Sequence, residues 1–138
     1  MLFRSVHGTD VAVWVAGKAD LVLYSVRNLV DNAIAYSGTA KTIEIVVGED
    51  CTIRVIDHGP GVPAYLAEHV FRRFWRSDRS GEGAGLGLSI VKRSMELCGG
   101  RVSLTETPGG GATFILAFRP RQGHQNAPPP TIDSKALV

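Results

Sequence analysis

Two periods of hydrophobic and polar positions alternate along this chain, and the switches between them set out its elements. Val11-Ala12-Val13-Trp14-Val15 is a short apolar run that predicts a strand. Gly17-Lys18-Ala19-Asp20 interrupts it, with Asp20 placed to cap a helix. From Leu21 to about Ser37 the period becomes helical. Val22, Val26, Leu29, Val30 and Ala33 form one stripe; Arg27, Asn28, Asp31, Asn32 and Ala35 fall on or beside the opposite edge; Ser37-Gly38 ends the helix. Thr42 to Val47 and Cys51 to Asp57 alternate with period two on either side of Gly48-Glu49-Asp50, which predicts an antiparallel hairpin. Cys51, Ile53, Val55 and Asp57 share one face of its second strand.

His58-Gly59-Pro60-Gly61-Val62-Pro63 reads as a rigid loop and Ala64 to Val70 as a short helix, followed by Phe71-Arg72-Arg73-Phe74-Trp75-Arg76. Ser77 to Ala84 is polar and glycine-rich, the pattern of a mobile segment. A second helix runs from about Gly85 to Leu97, burying Leu86, Ile90, Val91 and Leu97, with Gly99-Gly100 as its stop. Arg101 to Thr107 and Gly111 to Phe118 predict a second hairpin around Pro108-Gly109-Gly110. Periodicity is lost from Pro120 onward, so the reading is one domain over residues 1–119 and a disordered tail over 120–138. Two hairpins and two long helices suggest an α+β fold: a two-layer α/β sandwich whose mostly antiparallel mixed sheet is covered on one face by helices.

Composition narrows the function classes. The 138 residues are 44% hydrophobic and 20% charged, enough for one ordinary globular core. A net charge of +2 is too mild to argue for a nucleic-acid surface. No apolar run approaches the roughly 18 residues of a membrane span, and Met1-Leu2-Phe3-Arg4 lacks the apolar core of a signal peptide. Cys51 and Cys98 share no metal-ligand spacing and read as reduced thiols of a cytosolic protein.

The strongest chemical signal is Gly81-Glu82-Gly83-Ala84-Gly85-Leu86-Gly87-Leu88, where glycines on alternate residues run into the second helix. Unpaired N–H groups and the helix dipole make such a start an anion site, phosphate above all; the plain alternative is a flexible turn before a core helix. Asn28 and Asn32 lie one helical turn apart, so their amide oxygens suit a hard cation such as Mg²⁺, or they belong to a solvated face. Tyr36 continues that edge and is placed to lie over a base or ribose.

Asp57 falls on the face that should be covered, where a carboxylate needs partners. It suits an exocyclic amine such as that of adenine, with Gly59 and Gly61 opening space beside it; the alternative is a turn Asp bonded to its own backbone. His7, His58, His69 and His124 show no metal spacing. Neither a P-loop nor a Gly-x-Gly-x-x-Gly motif after a strand is present.

Taken in order, these pieces resemble the ATP-binding catalytic domain of sensor histidine kinases, in the gyrase–chaperone–kinase–MutL superfamily. The family's N box is similar to Asn28-Leu29-Val30-Asp31-Asn32-Ala33-Ile34-Ala35-Tyr36-Ser37, and its first glycine box to Asp57-His58-Gly59-Pro60-Gly61-Val62-Pro63. Its F box is similar to Val70-Phe71-Arg72-Arg73-Phe74-Trp75-Arg76, and its second glycine box to Gly83-Ala84-Gly85-Leu86-Gly87-Leu88-Ser89-Ile90-Val91.

The resemblance implies that the chain binds ATP with Mg²⁺ held at Asn32, Asn28 beside it and Tyr36 near the nucleotide. Asp57 would bond the adenine amine, Gly59 and Gly61 would shape its pocket, and Gly83, Gly85, Leu86 and Gly87 would contact the phosphates. Residues from about Val62 to Gly83 would form a lid based on Phe71, Phe74, Trp75 and Arg76. Ala35 stands where many members carry Lys or Arg, and no histidine here has the context of the family's phosphoacceptor. The chain then reads as the C-terminal part of a longer kinase with an arbitrary start at Met1. It would donate the γ-phosphoryl group to a histidine on its own dimerisation domain, upstream of a response regulator, in the cytoplasm beneath a membrane-anchored parent. The alternatives are a protein-serine kinase of anti-sigma type and a nucleotide-dependent interaction module without transferase activity.

Overall fold

A computed structural model describes residues 5–8, 13–37, 42–73 and 87–121. Strand β1 is Ser5–His7 and helix α1 is Ala19–Tyr36. Strands β2 (Ile43–Gly48) and β3 (Thr52–Asp57) follow, then a 3₁₀ turn at Ala64–Leu66. Helix α2 (Gly87–Leu97) precedes strands β4 (Arg101–Glu106) and β5 (Ala112–Ala117). The sheet order is β1-β2-β3-β5-β4, with β1 parallel to β2 and every other pair antiparallel. Helix α1 packs on β2, β3 and α2, and α2 on β4, so the predicted two-layer α/β sandwich forms. Among the described residues no helix is long and apolar enough to cross a membrane.

The α1 stripe does what its spacing requires. Leu29 and Ala33 are buried, and Val22, Val26 and Val30 pack on their flanks. They meet Val91 and Met95 of α2 and Ile43, Val55, Phe114 and Leu116 of the sheet in one core. Both predicted hairpins form, with Ile43 opposite Asp57 in the first and Glu106 opposite Ala112 in the second.

Four local expectations change. Of the apolar run before α1, the described residues 13–15 form no strand beyond an isolated bridge from Val15 to Pro120, and Val11 and Ala12 lie outside the described residues. Backbone bonds from Ala16 N–H to Arg119 O (2.8 Å) and from Arg121 N–H to Trp14 O (3.0 Å) make this stretch a clasp on the segment after β5. Asp20 is not the N-cap. That position is Lys18, without a side-chain bond, and Asp20 sits in the first turn, where a negative charge complements the helix dipole.

The short helix expected over Ala64 to Val70 is reduced to a 3₁₀ helix at Ala64–Leu66, with turns after it. Three of its backbone bonds close over three residues (Leu66 to Pro63, Ala67 to Ala64, His69 to Leu66), because so short a piece cannot recover the entropy of helix nucleation. In α2 the buried residues are Val91, Ser94 and Met95, while Ile90 and Leu97 are exposed. The stripe facing the sheet runs Leu88, Val91, Met95, and Ile90 and Leu97 sit one position out of phase with it. The predicted stop holds: Gly99, at φ +72°, donates to Glu96 O and Gly100 to Met95 O, a Schellman closure.

Candidate nucleotide site

Asp57 ends β3 and is only 5% exposed, on the covered face predicted by alternation. One oxygen, Oδ1, accepts two backbone N–H bonds, from Gly59 at 3.0 Å and from Ala112 at 3.2 Å. The first is the local turn bond of an Asx residue, so the turn reading and the binding reading share one carboxylate. The second comes from a strand 55 residues away and pins Asp57 to β5. Among the described residues no group bonds Oδ2. An ionised carboxylate is acceptor-only, so a half-satisfied one at the end of a buried strand is suited to a ligand donor.

Backbones meet closely around this carboxylate. A Cβ at Gly59 would lie 2.8 Å from the backbone of Ser37, the residue closing α1. Gly111, at φ +115°, has its Cβ position on the carbonyl oxygen of Asp57. Glycine is therefore required at both points by close approach, and at the second also by conformation. A Cβ at Gly61, φ +75°, would likewise lie 2.9 Å from the Gly111 carbonyl oxygen. The glycines expected to open space bring α1, the loop after β3 and the turn before β5 into direct contact.

Asn28 and Asn32 project from α1, both half-buried. The Asn28 Nδ2 donates to Tyr24 O at 3.0 Å, which turns Oδ1 toward the first residue of α2. That oxygen lies 2.9 Å from the Cβ position of Gly87. An amide oxygen thus stands at the N-terminus of an 11-residue helix, where the helix dipole favours anions. Neutral oxygen donors fit Mg²⁺, which keeps most of its shell as water and phosphate. Tyr36 is the last helical residue, half exposed and next to Ser37, on the Gly59 side of the site.

Phe71, first of the aromatic cluster, is half-buried and meets Phe114 of β5 edge to face, ring centres 6.1 Å apart at 88°. Phe74, Trp75, Arg76, Gly83, Gly85 and Leu86 lie outside the described residues. Gly111 and the Ala112 N–H are site components that the sequence reading passed over as a hairpin turn. Three consecutive glycines, Gly109 to Gly111, are the signal that marks them.

The chain as a whole is similar to known proteins. The family model of histidine kinase-, DNA gyrase B- and HSP90-like ATPases matches residues 17–122, and the chain belongs to this family. The signal transduction histidine-protein kinase AfsQ2 of Streptomyces coelicolor is 38% identical over 103 residues, covering 72% of this chain and 19% of that protein. The ATP-binding domain of PrrB from Mycobacterium tuberculosis superposes with a TM-score of 0.65 at 27% identity, covering 85% of this chain and 80% of that one. The catalytic domain of the histidine kinase ThkA gives 0.69 at 28% identity, covering 83% and 77%. The chain spans only 13% to 29% of the length of AfsQ2 and three other curated relatives, each named as a sensor protein or histidine kinase.

Proposed function

We propose that this chain is the ATP-binding catalytic domain of a sensor histidine kinase, donating the γ-phosphoryl group of Mg-ATP to a histidine on a separate dimerisation domain. The observation that carries the reading is the Asp57 carboxylate, with Oδ1 saturated by backbone and Oδ2 left for a ligand. Oδ2 accepts the adenine amine, and Gly59 and Gly61 hold the loop beside it. Asn28 and Asn32 present amide oxygens to the phosphate end, with Tyr36 near the nucleotide. Gly87 and the preceding Gly83, Gly85 and Leu86 supply N–H groups to the phosphates. Asn32, with Asn28 beside it, would hold Mg²⁺, which would supply positive charge against the transferred phosphoryl group.

Phosphoryl transfer asks for positioning and charge stabilisation, and these residues provide both. The nucleophilic histidine belongs to the dimerisation domain, which docks near the aromatic cluster Phe71, Phe74 and Trp75, with Arg76 beside it. A response regulator then takes the phosphoryl group. The reading places the domain in the cytoplasm, attached to a parent anchored in the membrane.

Asp57→Asn is the discriminating variant. It keeps an oxygen for the two backbone N–H groups and puts a donor where Oδ2 was, opposite another donor. Loss of a hydrogen bond to a charged group is worth about 1.5–3 kcal/mol, so ATP affinity measured by calorimetry should fall roughly 10- to 150-fold. GTP should bind the wild type weakly, since guanine presents a carbonyl at that edge. An unchanged ATP affinity in the folded variant overturns the assignment.

A further inference from the structure

The turn that delivers the Ala112 N–H to Asp57 is built from residues poorly suited to hold a shape. Gly109, Gly110 and Gly111 run consecutively at φ +87°, +110° and +115°. Glycine loses more backbone freedom on ordering than any other residue, so such a turn needs restraint. Two backbone bonds help: Gly110 N–H to Thr107 O at 2.9 Å and Thr107 N–H to Gly111 O at 3.0 Å. One further bond closes the turn through side chains. The hydroxyls of Thr107 and Thr113 meet at 2.9 Å, six residues apart in sequence and both buried, at 3% and 6% exposure.

We propose that the Thr107–Thr113 hydroxyl pair is a positioning device for Asp57. It locks the glycine turn so that Ala112 N–H reaches Oδ1 and Oδ2 stays aimed at the base. The proposal rests on the reading of Asp57 as the adenine acceptor. The pair acts at a distance from the ligand. Phe114 pairs with Val55 on the covered face, whereas Thr113 pairs with Ile56 on the other, so the Thr113 side chain leaves the sheet on the side opposite Asp57. The link runs through the backbone: Gly111 rests on the Asp57 carbonyl, and the next residue supplies the N–H. Each hydroxyl is also the other's way out of an orphaned buried state. Removing one leaves its partner unsatisfied, whereas removing both leaves no orphan.

The test uses the whole chain carrying Thr107→Val, Thr107→Ser or the double change Thr107→Val with Thr113→Val. Two quantities are read: Ala112 amide exchange in nucleotide-free protein, and affinities for ATP and GTP. Thr107→Val should speed Ala112 exchange and weaken ATP binding about three- to tenfold, the worth of one hydrogen bond, with the ATP-to-GTP ratio narrowing. Thr107→Ser, which keeps the hydroxyl, should restore both. The double variant, with no orphaned hydroxyl, should fold and still show the faster exchange and narrowed ratio; these then report lost positioning rather than general destabilisation.

Unchanged Ala112 exchange in both valine variants overturns the proposal, as does faster exchange with an unaltered ATP-to-GTP ratio. Failure of the adenine reading is seen separately. In that case Asp57→Asn leaves ATP affinity unchanged, and the positioning role falls with it, whatever the exchange arm reports about the turn.

Discussion

At the scale of single residues, two aspartates end up in opposite situations. Asp57 is buried and holds one oxygen against two backbone N–H groups from different parts of the chain. Asp50 sits on the exposed tip between β2 and β3, where Thr52 Oγ1 donates to its Oδ1 at 2.6 Å and Arg54 Nη2 to its Oδ2 at 2.9 Å. The Thr52 hydroxyl first, and then the Arg54 guanidinium, hold the Asp50 carboxyl below its ordinary 3.8. A depressed carboxylate contributes stability that is present above its unfolded value and lost as pH falls through the folded one. Asp50→Asn should therefore lower the melting temperature slightly at about pH 6, the effect being small because the pair is exposed and screened. The difference from wild type should shrink as pH drops below 3.8 and vanish in stronger acid. Melting curves across that range check it, and a difference independent of pH contradicts the assignment.

At the scale of elements, the glycine turn between β4 and β5 separates strain from steric contact. Gly109 and Gly111 both have positive φ, but a Cβ at Gly109 meets nothing within 4 Å, whereas one at Gly111 falls on the Asp57 carbonyl. Gly109→Ala should cost only the conformational strain, about 1 kcal/mol. Gly111→Ala must also displace backbone and should cost about 2–4 kcal/mol. Urea midpoints at unchanged slope measure both, and equal costs would contradict the packing described.

The same contrast explains what could be read beforehand. Val22, Leu29 and Ala33 on α1, the Gly48-Glu49-Asp50 turn and the covered face of Asp57 follow from local periodicity, which sequence displays directly. The β3–β5 neighbour relation does not. Thr52 pairs with Ala117 across a whole helix and hairpin, with no local signal, so the Ala112 bond to Asp57 stayed hidden. Ser25 and Ser94 are buried although polar, and Ser25 Oγ donates its hydrogen bond back to Leu21 O within the helix, a bond the polar/apolar pattern does not display. Ile90 and Leu97 were misplaced because seven-residue spacing keeps them in phase with each other but not with Val91 and Met95. The parallel β1 is only three residues long, too short for alternation to stand out.

At the scale of the molecule, the sandwich gathers groups that lie far apart in the chain. α1 brings Asn28 to the start of α2, β3 carries Asp57, and β5 supplies the second N–H that fixes it. The four motif boxes are legible because each is local; what the fold adds, among the described residues, is the meeting of Asn28 with Gly87 and of Ser37 with Gly59. On the proposed reading, a domain so built holds and positions a nucleotide and supplies no acceptor of its own. The direct measurement mixes this chain with a separately produced helical hairpin bearing a His-Glu pair and with ATP labelled at the γ-phosphate. The account predicts acid-labile phosphohistidine on the hairpin and no label on this chain. Label on one of its own histidines, acid-stable phosphoserine on a partner, or tight ATP binding with no transfer to the cognate hairpin would contradict it.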